Sequence, residues 1–162
     1  MSAGTRLPAL GPRGEGWVAL QFLLIGATVI ACWWFGDAWS GDARVVGGIV
    51  GNVLLVAGLT MVVIGSLGLS GSFTVLPRPP DRATLVTGGL YGIVRNPIYA
   101  GLIAAMVGAD LGSASLVGLG LAAALAVVLD LKARREETLL RRRFPDYAAY
   151  AARTKRFVPG LY

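Results

Sequence analysis

This chain predicts an all-α membrane protein, with about four transmembrane helices and a C-terminal amphipathic helical region on the cytosolic side. Three observations carry that expectation. Of its 162 residues, 55% are hydrophobic and only 15% are charged, against about a quarter charged in a typical soluble domain. The mean hydropathy is +0.65, so the chain has too little polar surface to cover itself in water and lipid becomes part of its solvent. The apolar residues also fall in runs long enough to cross a hydrocarbon layer of about 30 Å at about 1.5 Å per residue.

The elements follow in order. Residues 1–15 are polar and rich in Gly and Pro, and read as a tail; residues 16–162 read as one integral-membrane domain. Trp17 to Phe35 is apolar apart from Gln21 and Thr28, and places Trp33 and Trp34 at the far interface, where indole rings are favoured. After a polar loop, Gly36 to Arg44, Val45 to Leu69 gives a second, longer and therefore tilted span. Gly47 and Gly51, four apart, allow close helix approach within a monomer or between monomers. Asn52 in that span is either a ligand group or a bond to a neighbouring helix. Ser70 to Asn96 is the longest non-apolar segment, and its Pro77-Arg-Pro-Pro80 cluster reads as a surface loop. Pro97 opens a helix, since its missing donor is unneeded there. Ile98 to Ala109 is a short apolar helix, Asp110 to Ser113 turns the chain, and Ser115 to Leu129 returns through the bilayer. The helical pattern then runs on past Asp130 and Lys132. Leu140, Phe144, Tyr147 and Ala151 recur at helical spacing, which predicts an amphipathic element lying on the bilayer surface. Pairing of Glu137 with Arg141 would account for one of two adjacent carboxylates there.

Charge narrows the partners. The net charge is +6 and the isoelectric point about 10.1. In a soluble protein that would suggest nucleic acid; here the cations flank apolar runs and suit anionic headgroups, so no nucleic-acid partner is expected. Arg78, Arg82, Arg95 and the block from Lys132 to Arg156 fall on one side of a four-span hairpin. The positive-inside rule makes that side, with both termini, cytoplasmic. A cleavable signal peptide is not expected, because the first apolar run is long and lacks a small-x-small site after it. One cysteine, Cys32, excludes an intrachain disulfide and a thiolate metal site, and the absence of histidine removes imidazole as base or ligand. No metal centre is expected.

Chemistry concentrates in two stretches. In Gly88-Gly-Leu-Tyr-Gly-Ile-Val-Arg-Asn-Pro-Ile-Tyr-Ala-Gly101, glycines let backbone approach a ligand. The amides at the start of the Pro97 helix point at whatever sits there, and Tyr91 and Tyr99 offer rings for an adenine face or a sulfonium cation. The same residues also suit a re-entrant turn held by Arg95 with Asn96 as the helix cap. The second stretch runs from Lys132 through Glu136-Glu137 to Tyr150.

Taken together, Leu85-Val-Thr-Gly-Gly-Leu-Tyr91, Arg95-Asn-Pro-Ile-Tyr99, Glu136-Glu137 with Leu140, Phe144-Pro-Asp-Tyr147, Tyr150 and Arg156-Phe-Val-Pro-Gly160 resemble one family in order and spacing. It is that of the integral-membrane methyltransferases related to isoprenylcysteine carboxyl methyltransferase and the phospholipid N-methyltransferases. The resemblance covers residues 85–160; the first two spans match only as generic membrane helices. It implies S-adenosylmethionine as cofactor, a pocket open to the cytosol within a cofactor-binding half at 83–160, and a lipophilic substrate that enters sideways between helices. The implied cofactor contacts are Ala83, Thr84, Leu85, Val86, Tyr91, Asn96, Pro97, Ile98, Tyr99, Glu136 and Glu137. Arg95 and Lys132 would orient or ionise the acceptor, Lys132 standing where the carboxyl methyltransferases carry a substrate-linked basic residue. Two departures stand out: the family's Arg-His-Pro is here Arg-Asn-Pro, and Lys132 replaces an arginine, which loses bidentate carboxylate binding. The rivals are a small transporter subunit, which ordinarily places an ionisable group inside a span, and a noncatalytic scaffold that docks a partner through its basic face.

Overall fold

The computed structural model describes residue 10 and residues 14–69 and 85–162. Most of the N-terminal tail and the Pro77 to Pro80 loop, with Arg78 and Arg82, lie outside the described residues. Among the described residues five α-helices follow in order: α1 (Glu15–Trp34), α2 (Gly41–Gly68), α3 (Pro97–Ser113), α4 (Leu116–Arg143) and α5 (Tyr147–Arg153), with a 3₁₀ turn at Gly89–Gly92 before α3. Three of them, α1, α2 and α4, are long and apolar enough to cross a membrane, and α3 is a shorter apolar helix. This is an all-α membrane protein. Among the described residues the one β-type pairing is a single parallel bridge between Val94 and Lys155.

Each long helix buries a narrow stripe and leaves the rest to lipid. On α1 the stripe is Trp17, Gln21, Leu24, Thr28 and Ala31, alternating steps of four and three that keep one face inward. Trp33 and Trp34 are 84% and 80% exposed. Leu24 meets Ala105, Met106, Ala122, Leu125 and Leu129 in the apolar core between α1, α3 and α4.

The α2–α3 contact is of another kind. The buried residues of α2 are Gly51, Gly58 and Gly65 alone, seven apart; the first two face Gly108 and Gly101 of the antiparallel α3, and Gly65 faces Ile98 at its start. A Cβ on Gly51 would stand 2.5 Å from the Gly108 carbonyl oxygen, and one on Gly101 would stand 2.6 Å from that of Gly58. The two backbones therefore touch, as small residues permit. Gly51 packs within the monomer, whereas Gly47 faces the Trp39 ring and the Leu111 carbonyl. Asn52 is exposed and donates to the Gly48 carbonyl of its own helix at 2.8 Å, not to a neighbouring one.

Two expectations are corrected. Asp110 to Ser113 does not turn the chain but completes α3. Asp110 is fully buried, and its carboxylate accepts from the Cys32 thiol at 3.0 Å, so a partner on α1 lets the helix carry it inward. The turn falls at Ala114, in the left-handed conformation (φ 57°). The C-terminal amphipathic stretch is also not one helix. It breaks at Phe144, ahead of Pro145, because a proline disfavours helical backbone in the residue before it. Tyr147 and Tyr150 on α5 then turn into the protein, 2% and 3% exposed.

Candidate functional site

The site is assembled at one end of the bundle from stretches far apart in sequence. Gly89 adopts φ 60°, a left-handed conformation that favours glycine, and the tight turn that follows buries Tyr91. The Tyr150 hydroxyl donates to the Tyr91 carbonyl at 2.7 Å, and the Tyr91 hydroxyl donates to the Gly65 carbonyl at 3.3 Å. The Arg95 amide donates to the Lys155 carbonyl at 2.7 Å and the Asn96 amide to that of Arg156 at 3.1 Å. The loop before α3 is thus stapled to the C-terminal strap, residues 154–162. Burial pushes the Tyr91 hydroxyl well above the usual tyrosine range, with Tyr150 and Glu136 adding to the effect. It pushes Tyr150 up to about 12. Both hydroxyls are therefore neutral donors near neutral pH.

On α4, Lys132 and Glu136 are one turn apart and share a side, while Glu137 is rotated about 100° away. The consequence is a sharp division. Glu136 accepts the Tyr99 hydroxyl at 2.7 Å. Glu137 faces the strap instead: Arg95 Nε donates to it at 3.2 Å, and Arg156 donates through Nε at 2.9 Å and Nη2 at 3.2 Å. It does not pair with Arg141, because two better-placed guanidiniums already hold it. Arg156 also reaches Asp130 at 2.9 Å. Burial works against the Arg156 charge, but its bonds to Glu137 and the pull of Glu137 and Asp130 outweigh that and hold it firmly protonated. Arg95 Nη1 donates to the carbonyls of Ala151, at 3.0 Å, and Thr154. Three of its five N–H donors are thereby used on protein.

Between these elements lies a cavity of about 340 Å³, within the range of small-molecule pockets. The loop and the start of α3 give it Tyr91, Arg95, Asn96, Ile98 and Tyr99, and α4 gives Lys132, Glu136 and Leu140. Of the site residues read from the sequence, Leu85, Val86, Pro97 and Glu137 do not line it; Ala83 and Thr84 lie outside the described residues. Asn96 precedes α3, yet its side chain makes no cap bond, and its Nδ2 is buried without a partner among the described residues. The remaining walls are residues the site reading missed: Gln21, Phe22 and Ile25 on α1, Val62, Ser66 and Leu69 on α2, and Leu102 on α3. Gln21 carried a signal, as the one amide in the first apolar run. The aliphatic residues carried none, since a cavity wall and a lipid-facing surface have the same composition.

Helices that are apolar outside, around a cavity of small-molecule size with acid, amide, ammonium and phenol groups at one end, define a membrane protein with a polar chamber beside the bilayer. The phospholipid methyltransferase profile matches residues 46–147, and the chain belongs to that family. It is 32% identical over 122 residues to a cobalt-zinc-cadmium resistance protein of Cupriavidus metallidurans, covering 75% of this chain and 56% of that protein. It is also 32% identical over 127 residues to a nickel-cobalt-cadmium resistance protein of Alcaligenes xylosoxydans xylosoxydans, covering 77% and 54%. The chain spans about half the length of these curated relatives.

Proposed function

We propose that this protein is an S-adenosylmethionine-dependent methyltransferase acting on a lipophilic, membrane-embedded acceptor, in the manner of the isoprenylcysteine carboxyl methyltransferases. One observation carries the reading: Tyr99 and Glu136, 37 residues apart, are hydrogen-bonded across the cavity that also takes the unpartnered Asn96 amide. A buried amide donor without a partner is costly unless a ligand acceptor completes it. A carboxylate beside it suits the hydroxyl and amino donors of a nucleoside bearing an amino acid, so the residues present fit this cofactor.

In this reading Glu136 accepts from the cofactor's ribose or amino groups, Asn96 donates to a carboxylate or ring nitrogen, and Tyr91 and Tyr99 pack on its rings. When bound, S-adenosylmethionine supplies an already activated methyl group. The chain therefore has to supply position and a dry cavity, and orientation alone lowers such barriers by several kcal/mol. Arg95 is a positioning residue, fixing the loop that presents Asn96 to the strap and to Glu137. The cofactor-binding half is residues 83–160, and the site, like both termini, faces the cytoplasm on the side where arginine and lysine gather.

The test is calorimetry of the detergent-purified protein with S-adenosylhomocysteine. Binding that is lost in Glu136→Ala and in Tyr99→Ala supports the reading; a wild-type protein that binds nothing, in detergent or in lipid, overturns it. Incubation with radiolabelled methyl donor and total membrane lipid then identifies the acceptor.

A further inference from the structure

Helix α2 carries a seven-residue period on two faces. The inward face is Gly51, Gly58 and Gly65, pressed on α3. On an outward face Val45, Ile49, Asn52, Val56, Leu59 and Val63 recur in alternating steps of four and three, and all six are exposed. Such spacing lines side chains into one seam, the pattern by which one helix seats against another. Five of the six are hydrocarbon and sit as well in lipid as in protein. Asn52 does not. It lies about 17 Å from the start of α2, at about 1.5 Å per residue, well inside a hydrocarbon layer of about 30 Å. Its Nδ2 donates once, to the Gly48 carbonyl at 2.8 Å; its second amide hydrogen and its Oδ1 have no hydrogen-bond partner among the described residues. The Thr60 hydroxyl, also exposed on α2, differs: its single proton goes to the Val56 carbonyl at 2.7 Å. A Cβ on Gly48, one turn before Asn52, would meet nothing within 4 Å, so the approach to the amide is open.

We propose that two copies of this chain pair through this seam of α2, with Asn52 of each hydrogen-bonded to Asn52 of the other. Complementarity selects the occupant. An amide is both donor and acceptor, so the free N–H and Oδ1 of one Asn52 match those of a second, giving two hydrogen bonds at once. Copies inserted in the same sense stand parallel, and a two-fold axis along the membrane normal brings like residues together at one depth. The seam also carries the side chains that favour two strands. Ile49, Val56 and Val63, all β-branched, hold one repeating position, and Leu59 holds the other with Asn52, a lone polar group of the kind that fixes register. Lipid at that depth offers an amide nothing to bond, whereas a purely apolar face would suit lipid and protein equally. A different membrane protein would need its own amide or hydroxyl at the same level; a second copy has one there by construction. The rest of the outward surface around the seam, Val46, Val50, Val53 and Ile64, is hydrocarbon and is left to lipid. Pairing here is independent of what the cavity binds, because Asn52 does not line it.

The test measures Förster transfer between donor- and acceptor-labelled full chains in phosphatidylcholine vesicles as the protein is diluted into lipid. Wild-type transfer is expected to rise linearly with acceptor fraction, as a dimer requires, and to fall only beyond a half-dissociation density. Asn52→Leu, nearly the same shape and wholly apolar, should move that density about three- to tenfold higher, the range of one or two interhelical hydrogen bonds in lipid. Thr60→Val removes an exposed hydroxyl bonded to its own helix and should leave the density unchanged. Val56→Cys, on the seam, should cross-link oxidatively between copies well above the wild-type background, and Val50→Cys, outward but off the seam, should not. Circular dichroism of Asn52→Leu should match the wild type, so that lost pairing is distinct from lost folding; should that variant lose helix, the cross-linking pair decides alone. A wild type that is monomeric at every density overturns the proposal. So do transfer curves of a higher assembly, an unshifted Asn52→Leu, an equal shift in Thr60→Val, or equal cross-linking of Val50→Cys and Val56→Cys.

Discussion

Glu136 and Glu137 are neighbours in sequence and opposites in circumstance. Glu137, 6% exposed, is bonded by Arg95 and Arg156 and joins α4 to the loop before α3 and to the C-terminal strap. Among the described residues Glu136 has a single phenol for a hydrogen-bond partner, and it looks into a cavity beside an amide without one. One helical step of about 100° separates architecture from a binding site. Where a buried polar group is fully paired it holds the fold; where it is half-paired it awaits something.

Four measurements break or sharpen that contrast. The largest effect is expected for Glu137→Ala, which removes the carboxylate shared by two largely buried guanidiniums and leaves Arg95 only backbone carbonyls and Arg156 only Asp130 and Tyr162. Breaking such a pair costs about 3–5 kcal/mol, seen as a lower unfolding temperature in detergent and faster proteolysis of the strap. An equal loss in Glu136→Ala would erase the distinction between the two carboxylates. For Glu136→Ala the expected loss lies in ligand binding: S-adenosylhomocysteine affinity falls by about 1.5–3 kcal/mol, roughly ten- to a hundredfold. Its ligand-free unfolding temperature should fall less than that of Glu137→Ala. Tyr99→Phe removes one hydrogen bond to Glu136 and should weaken the same binding by about 1 kcal/mol, roughly fivefold; unchanged affinity would mean the phenol does not orient the carboxylate.

Tyr150→Phe gives the smallest effect and carries a pH signature. Its hydroxyl bonds the Tyr91 carbonyl, and burial raises it to about 12 from the ordinary value of about 10. A folded-state value above the unfolded one means that the stability from the neutral phenol is fully present below about pH 10 and is lost as pH rises toward about 12. The phenylalanine variant should be about 1 kcal/mol less stable at neutral pH and should lose this part of the alkaline decline. An unaltered alkaline unfolding curve would place the titration elsewhere.

Much of this was legible in the sequence, and the gaps have physical causes. Apolar runs gave the long helices, and Pro97 marked the start of α3 to the residue. Gly88 to Tyr99 and Lys132 to Glu137 stood out because polar groups beside hydrocarbon demand a reason. What failed depended on partners across space. Asp110 reads as a turn because nothing local reveals that the Cys32 thiol donates to it from α1. Glu136 and Glu137 were taken together because the direction each faces is set by where α4 packs. The glycine seam was glimpsed as Gly47 and Gly51, whereas the contact runs through Gly51, Gly58 and Gly65, a longer period visible only against α3.

That seam has a mechanical consequence. Side chains can swap rotamers to let helices slide, but backbone pressed on backbone has no such freedom. Helices α2 and α3 therefore behave as a single rigid plank, with Leu69 and Tyr99 riding on it. The cavity's other bank is α1, which carries Gln21, Phe22 and Ile25 and leans on α4 and α3 through interdigitated side chains. Any widening of the chamber is therefore expected between this pair and its neighbours α1 and α4, not within the pair.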